Sequence, residues 1–296
     1  MSGWLDRPAA RRWFERAPAG LDADAVAREV ERRMAARLEF IKLDPRRIVD
    51  VGCGTADGRA ALRARYPKAD LVLTDAACAT LRRTHRTQPL VARVRSAVGA
   101  AREHLLCSHM TALPLRTASC GLVWSNLVLA WSAEPAATLA EWHRILEVGG
   151  LLMFSSYGPD TLKELRAAFV AADPAPHVHP FVDMHDLGDA LVASGFAEPV
   201  MDMDMLTVTH ERVDGLVRDL RASGQRNAHA ARRRGLTGPR TWQRMAAAYA
   251  ALESAGRLPA TFEIVYGHAW KPVPRTTADG RAIIRLGLPR RPGKTD

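Results

Sequence analysis

The chain has 296 residues, 47% of them hydrophobic and 25% charged, which excludes a wholly disordered chain and allows a sizeable core without disulfide or metal staples. Twenty-one glycines and 18 prolines fall far short of a collagenous composition, and no apolar run reaches the roughly 18 residues of a membrane span. The net charge of +10 is uneven, with eight arginines and one acid from Arg218 to Arg244 and seven basic residues against two acids from Lys271 onward.

Charge in the first 16 residues, where a signal segment would be apolar, points to a cytoplasmic protein. Val26, Val30, Met34, Leu38 and Ile41 recur at helical spacing and predict a helix over 23–41, within an N-terminal cap spanning 1–45. The β-branched run Arg47 to Val51 predicts a buried strand ending in glycines. A helix over 56–66, a strand over 71–74, a helix over 76–85, an extra helix over 90–103 and a strand over 105–108 follow. Next come a strand over 122–125, a helix over 136–146 and a strand over 151–157. Strands alternating with helices of about ten residues predict βαβ units and a mainly parallel sheet.

Beyond Tyr157 the pattern changes. A helix over 161–172 is bracketed by Pro159 and Pro174. Met201, Met203 and Met205 alternate with Asp202 and Asp204, a half-buried strand whose methionines are expected to pack in the core. Trp242, Met245, Tyr249 and Leu252 mark a helix, and Phe262 to Trp270 alternate as a final strand. The main domain spans 46–272, with substrate-side elements over 158–257 and a mobile basic tail over 273–296.

The segment Asp50-Val-Gly52-Cys-Gly54-Thr-Ala56-Asp-Gly58 carries most of the chemistry. Glycines at a strand-to-helix turn let backbone approach a ligand and leave helix N–H groups available. A dinucleotide fingerprint would need Gly or Ala where Asp57 stands, and a Walker loop would need G-K-[ST]. A phosphate-bearing cofactor is therefore disfavoured. Asp50 suits a ligand with a positive centre, such as S-adenosylmethionine. Asp75, 21 residues after Gly54, stands where an acid can accept from both ribose hydroxyls.

Cys53, Cys78, Cys107 and Cys120 form no CxxC pair, so buried free thiols are expected instead of zinc or disulfides. His177, His179, Asp183 and His185 match no standard metal signature, and no metal is expected there.

VDVGCGT at 49–55, TDAACATLRR at 74–83, ALPL at 112–115, LVWSNLVLAW at 122–131 and EWHRILEVGGLLMFSSYGPDTLKELR at 141–166 carry a resemblance. So do HVHPFVDMHDLGDALVASGF at 177–196, RDLRASGQRNA at 218–228 and LPATFEIVYGHAWKP at 258–272. Over roughly residues 9–272 the chain resembles class I S-adenosylmethionine-dependent methyltransferases. More narrowly it is similar to the malonyl-acyl-carrier-protein O-methyltransferases of biotin synthesis. A sister similarity joins it to the mitochondrial complex I assembly factor that hydroxylates an arginine.

That resemblance implies an α/β fold with a Rossmann-like seven-stranded mixed sheet in the order 3-2-1-4-5-7-6, an N-terminal helix and an α-helical substrate-side insertion. It implies cofactor contacts from Asp50, Gly52, Cys53, Gly54, Asp75, Ala76, His109, Met110 and Asn126, the last lining the methyl-transfer cavity. Four positions depart from the family pattern. Leu21 replaces a tyrosine near the substrate, Ala56 the third loop glycine, His109 an acid on the adenine amino group, and Gly121 an acid opening strand four.

A malonyl carboxylate is ionised at neutral pH, so no catalytic base is expected, only alignment and exclusion of water. The carboxylate needs an orienting group, for which His179, Arg218 and Arg221 are the candidates. The arginine stretch suits docking of an acidic acyl carrier protein. The alternatives are a non-catalytic methyltransferase fold serving assembly or binding, or a protein-modifying relative of the assembly factor. Nucleic-acid methylation ranks last, since no N/D-P-P-Y tetrad, catalytic Pro-Cys or RNA-binding signature is present.

Overall fold

Seven strands, β1 (Arg47–Val51), β2 (Asp70–Asp75), β3 (Glu103–Cys107), β4 (Cys120–Ser125), β5 (Leu146–Tyr157), β6 (Ala197–His210) and β7 (Leu258–Trp270), build one sheet in the computed structural model. It describes residues 3–17, 24–54, 58–86 and 101–274. The strand order is β3-β2-β1-β4-β5-β7-β6, as the resemblance implied. The first five are parallel to one another, whereas β7 runs antiparallel to both β5 and β6. The central strands read as continuous apolar runs because helices cover both faces. All six residues of β4 are buried, as are four of five in β1.

The helices are α1 (Arg7–Arg16), α2 (Ala25–Leu38), α3 (Gly58–Arg65), α4 (Cys78–Arg86), α5 (Pro135–Ile145), α6 (Lys163–Val170), α7 (Met184–Ala193), α8 (Val213–Ala222) and α9 (Pro239–Ala250) among the described residues. Val30, Met34 and Leu38 of α2 pack with Leu62 of α3 and with Met245 and Tyr249 of α9 in one core layer. Leu139, Trp142 and Ile145 of α5 pack with Leu187 and Leu191 of α7 in the other. Asp24 caps α2 by accepting from the Ala27 N–H at 3.0 Å. No helix among the described residues is long and apolar enough to cross a membrane.

α1 is fastened from its own flank. Asp6 N–H donates to the Ala228 carbonyl at 2.8 Å, and Ala230 N–H to the Trp4 carbonyl at 2.6 Å. The Asp6 carboxylate caps α1 and pairs with Arg232 at 2.9 Å.

Two expectations change. Cys78 and Cys107 form a disulfide, leaving Cys53 and Cys120 as the free thiols. Parallel pairing sets Asp75 opposite Cys107, so Cys78, three residues further on, comes within 5.4 Å between Cα atoms. Met203 and Met205 are exposed rather than core residues, because β6 is an edge strand. Of the three methionines, Met201 lies against Gly188 of α7. Asp202 and Asp204 on the other face pair with Arg33 and Arg37 of α2. Within 158–257 the strand expected around Met201, Met203 and Met205 is β6, between the helices of that stretch.

Leu252 falls beyond α9 and is exposed. Most of the helix expected over 90–103 lies outside the described residues, and its last residue, Glu103, opens β3. The tail from 275 on also lies outside them.

Candidate active site

The apolar run of β1 ends at Val51, and the chain then turns through two left-handed glycines. Gly52 has φ +70° and Gly54 φ +51°. A Cβ on Gly52 would collide with the Val128 side chain, so that turn closes only with glycine. The Thr74 carbonyl accepts from Gly52 N–H at 2.8 Å and Cys53 N–H at 2.9 Å, binding the loop to the end of β2. Asp75 completes the tie. Its two carboxylate oxygens accept from Gly54 N–H at 3.1 Å and Ala77 N–H at 2.7 Å.

Above the carboxyl ends of β1, β2 and β4 lies a cavity of about 230 Å³. Parallel α/β sheets hold ligands at this location, where the strand order reverses. Asp50, Gly52, Cys53 and Gly54 line it from the β1 side, and Asp75, Ala76, Ser108 and Met110 from the β2 and β3 side. Asn126, Val128, Trp131 and Tyr157 form a further wall. Phe14, Asp24, Glu31 and Gln225 enclose it from α1, α2 and the segment after α8.

Among the described residues four acids line this cavity, Asp24, Glu31, Asp50 and Asp75, against one basic side chain, Arg83. Burial pushes the Asp50 carboxyl well above the usual carboxylate range, and neighbouring Glu31 and Asp75 push it further. Asp50 is 4% exposed and takes no side-chain hydrogen bond from the described residues. Burial also raises Asp75, opposed by the N–H groups of Ala77 and Gly54. Buried carboxylates this close stay ionised together only where a cation meets them, and otherwise keep a proton.

Asn126 stands in the wall with its amide engaged. Its Nδ2–H donates to the Ala27 carbonyl at 2.9 Å, and Ser155 Oγ–H donates to its Oδ1 at 2.8 Å. The Tyr157 hydroxyl is buried in the same cavity without a hydrogen bond of ordinary geometry.

The remaining candidates lie elsewhere. His109 turns its Nδ1 to the Thr111 hydroxyl at 2.8 Å and does not line the cavity, although its neighbours Ser108 and Met110 do. His179 is 5% exposed, and its Nε2 accepts from Ala228 N–H at 2.9 Å. Burial drives its pKa down to about 4, so it is a neutral structural acceptor and no cation for a carboxylate. Arg218 and Arg221 are exposed on α8 outside the lining, while Ala222, Ser223 and Gln225 just after them reach it. Leu21 and Ala56 lie outside the described residues. A Cβ at Gly121 would press on Pro45 and Glu147, so an acid there would need the Glu147 side chain to move aside.

His177 stacks on Phe169 at 3.6 Å, and Asp183 accepts from the His185 backbone and ring at the start of α7. No group of three potential metal ligands exists among the described residues. Glu31, Asp24, Tyr157 and Gln225 were not singled out by sequence reasoning. Glu31 alone left a trace there, as an acid directly beside Val30 of the apolar stripe.

Residues 49–154 match the family model described as a methyltransferase domain. The chain is 49% identical over 287 residues to the malonyl-acyl-carrier-protein O-methyltransferase of Laribacter hongkongensis, covering 96% of each chain. It is 48% identical to the enzyme of the same name from Gallionella capsiferriformans, over 96% of this chain and 97% of that one. Among solved structures, the YcgJ protein of Bacillus subtilis superposes with a TM-score of 0.56 at 13% identity, over 83% of this chain and 99% of that one. That likeness concerns the fold.

Proposed function

The chain belongs to the malonyl-acyl-carrier-protein O-methyltransferase family, and on that premise we propose that it methylates the free carboxylate of a malonyl thioester held by an acyl carrier protein. S-adenosylmethionine is the methyl donor, supplying an electrophilic methyl group on a sulfonium centre. The observation that carries the proposal is the acid-rich cavity over the glycine loop, which suits a cationic cofactor and would repel a nucleotide phosphate. On this assignment Asp75 accepts from the ribose hydroxyls while still holding Gly54 and Ala77. Gly52 and Gly54 admit the cofactor close to backbone, Ala76 and Met110 flank the adenine, and Asp50 faces the positive end.

No general base is required, because the malonyl carboxylate is ionised at neutral pH. The protein has to align a carboxylate oxygen with the methyl carbon and keep water out. With His179 neutral and buried, the donor we assign to the acceptor carboxylate is the Tyr157 hydroxyl. Burial keeps that phenol protonated, with its pKa well above the ordinary value.

We assign docking of the carrier protein to the exposed arginines Arg218 and Arg221, whose helix ends at the cavity lining. Other arginines of the basic stretch have structural partners. Arg232 pairs with Asp6, Arg233 with Asp173, and Arg226 stacks over Trp13. The family alone supports placing the step in biotin synthesis.

The test is transfer of labelled methyl to malonyl carrier protein. Wild type should label it, with KM rising as salt is added. The double change Arg218→Glu, Arg221→Glu should raise KM about tenfold and leave cofactor affinity unchanged. Protein that binds the cofactor but leaves the malonyl carrier unlabelled would exclude this acceptor.

A further inference from the structure

Glu31 is an acid that no motif accounts for. It lies in the second turn of α2, one residue past Val30 of the apolar stripe, and is 7% exposed. Burying a carboxylate costs several kcal/mol unless partners or a counter-charge offset it. One partner is Trp124 of β4, whose Nε1–H donates to Glu31 Oε1 at 2.8 Å. On another side α3 opens with Gly58, where any Cβ would collide with the Glu31 carboxylate. The fold has thus cleared space for this acid from two elements.

Trp124 and Asp50 are register partners on the adjacent parallel strands β4 and β1. The carboxylate held by Trp124 is near enough to act electrostatically on Asp50, and both line the cavity. Asp50 is faced by Glu31 from α2, Asp75 from β2 and Cys53 from the glycine loop. Among the described residues the other ionisable groups of the cavity are Asp24 before α2, Arg83 of α4 and Tyr157 of β5. Of these, Arg83 donates to the Phe14 and Glu15 carbonyls and to Thr80, and acts electrostatically on Asp75.

We propose that Glu31 is a cofactor-binding residue. Together with Asp50 it forms a paired-carboxylate clamp on the ammonium of S-adenosylmethionine, one that holds a proton in the free protein and releases it on binding. The inference rests on the cavity being the cofactor site. Two like carboxylates in a dry cavity do not both ionise without a counter-charge, which agrees with the upward displacement of Asp50. The arriving ammonium donates to the carboxylates, and the displaced proton passes to the buffer. No covalent bond in the ligand changes.

The sign of the pH dependence follows. The free form carries the proton and the bound form does not, so cofactor affinity rises with pH until the free clamp is itself deprotonated. The experiment is calorimetry of the full chain with S-adenosylmethionine at pH 7 in two buffers of different ionisation enthalpy. Wild type should release between half and one proton per cofactor bound. S-adenosylhomocysteine, which keeps the ammonium and lacks the sulfonium, should release the same amount.

Glu31→Gln still offers Trp124 an amide oxygen. It should bind the cofactor about tenfold more weakly and release at most half as many protons, with an unchanged melting temperature. Wild-type binding without proton release, or Glu31→Gln binding as wild type does, would overturn the clamp and leave the methyltransferase assignment intact. Absence of any S-adenosylmethionine binding by wild type would overturn both.

Discussion

Asp50 and Asp75 end neighbouring parallel strands, yet only Asp75 is committed to holding its own loop, through Gly54 and Ala77. Asp50 is left with a buried carboxyl and a cavity. Both were legible in the sequence, because an acid before a glycine turn and an acid at the next strand end are local patterns. Tyr157, Gln225 and Glu31 were not. They reach the cavity through packing of distant elements, which neither spacing nor periodicity reports. His179 misled for the same reason, since a histidine in a Pro-flanked stretch gives no sign that Trp4, Trp131 and Phe181 will enclose it. Tyr157 is where that missing information bears on catalysis. Tyr157→Phe should lower kcat/KM for the malonyl carrier about tenfold, consistent with loss of one hydrogen bond to a charged group. Calorimetry should show cofactor affinity unchanged, and an unaltered kcat/KM would remove the phenol from the acceptor site.

At the scale of elements, periodicity located the strands and most helices within a few residues, since apolar runs and helical stripes are written locally. What periodicity could not report was which elements meet. The Cys78–Cys107 disulfide joins the start of α4 to the end of β3, 29 residues apart in sequence. It lies between the segments that contribute Asp75 and Ala76 on one side and Ser108 and Met110 on the other. Closing a loop of that length is worth about 3.5 kcal/mol through the unfolded chain. Cys78→Ser should therefore lower unfolding stability in urea by about that amount, with a several-fold loss of cofactor affinity as the two segments loosen. Equal stability of wild type with and without reductant would show that the bond contributes nothing. Edge placement of β6 likewise explains its pattern, with Asp202 and Asp204 turned to Arg33 and Arg37 and two methionines left in solvent.

Across the whole molecule, the sheet order could be anticipated while the enclosure of the cavity could not. The alternation of strands and helices dictates a βαβ sheet, whose switch point lies at the ends of β1 and β4. The enclosing side is assembled from α1, α2 and the segment after α8, joined by hydrogen bonds between residues 4–6 and 228–230. Phe14 of α1 packs edge-on against Trp131 at 4.8 Å. α1 contributes little to the two main core layers, so its removal should spare the sheet. A chain lacking residues 3–17 should keep the far-ultraviolet spectrum of the folded sheet and lose at least tenfold in cofactor affinity. Full affinity in the truncated chain would show that the cavity needs no enclosure from α1.

The bonds between residues 4–6 and 228–230 also set a timetable for synthesis. The glycine loop, β1 and β2 leave the ribosome well over a hundred residues before the segment that fastens α1. At about 5–20 residues per second, that gap lasts on the order of ten seconds or more. Complete enclosure of the cofactor cavity therefore waits until the segment around residue 230 has emerged and α1 can dock.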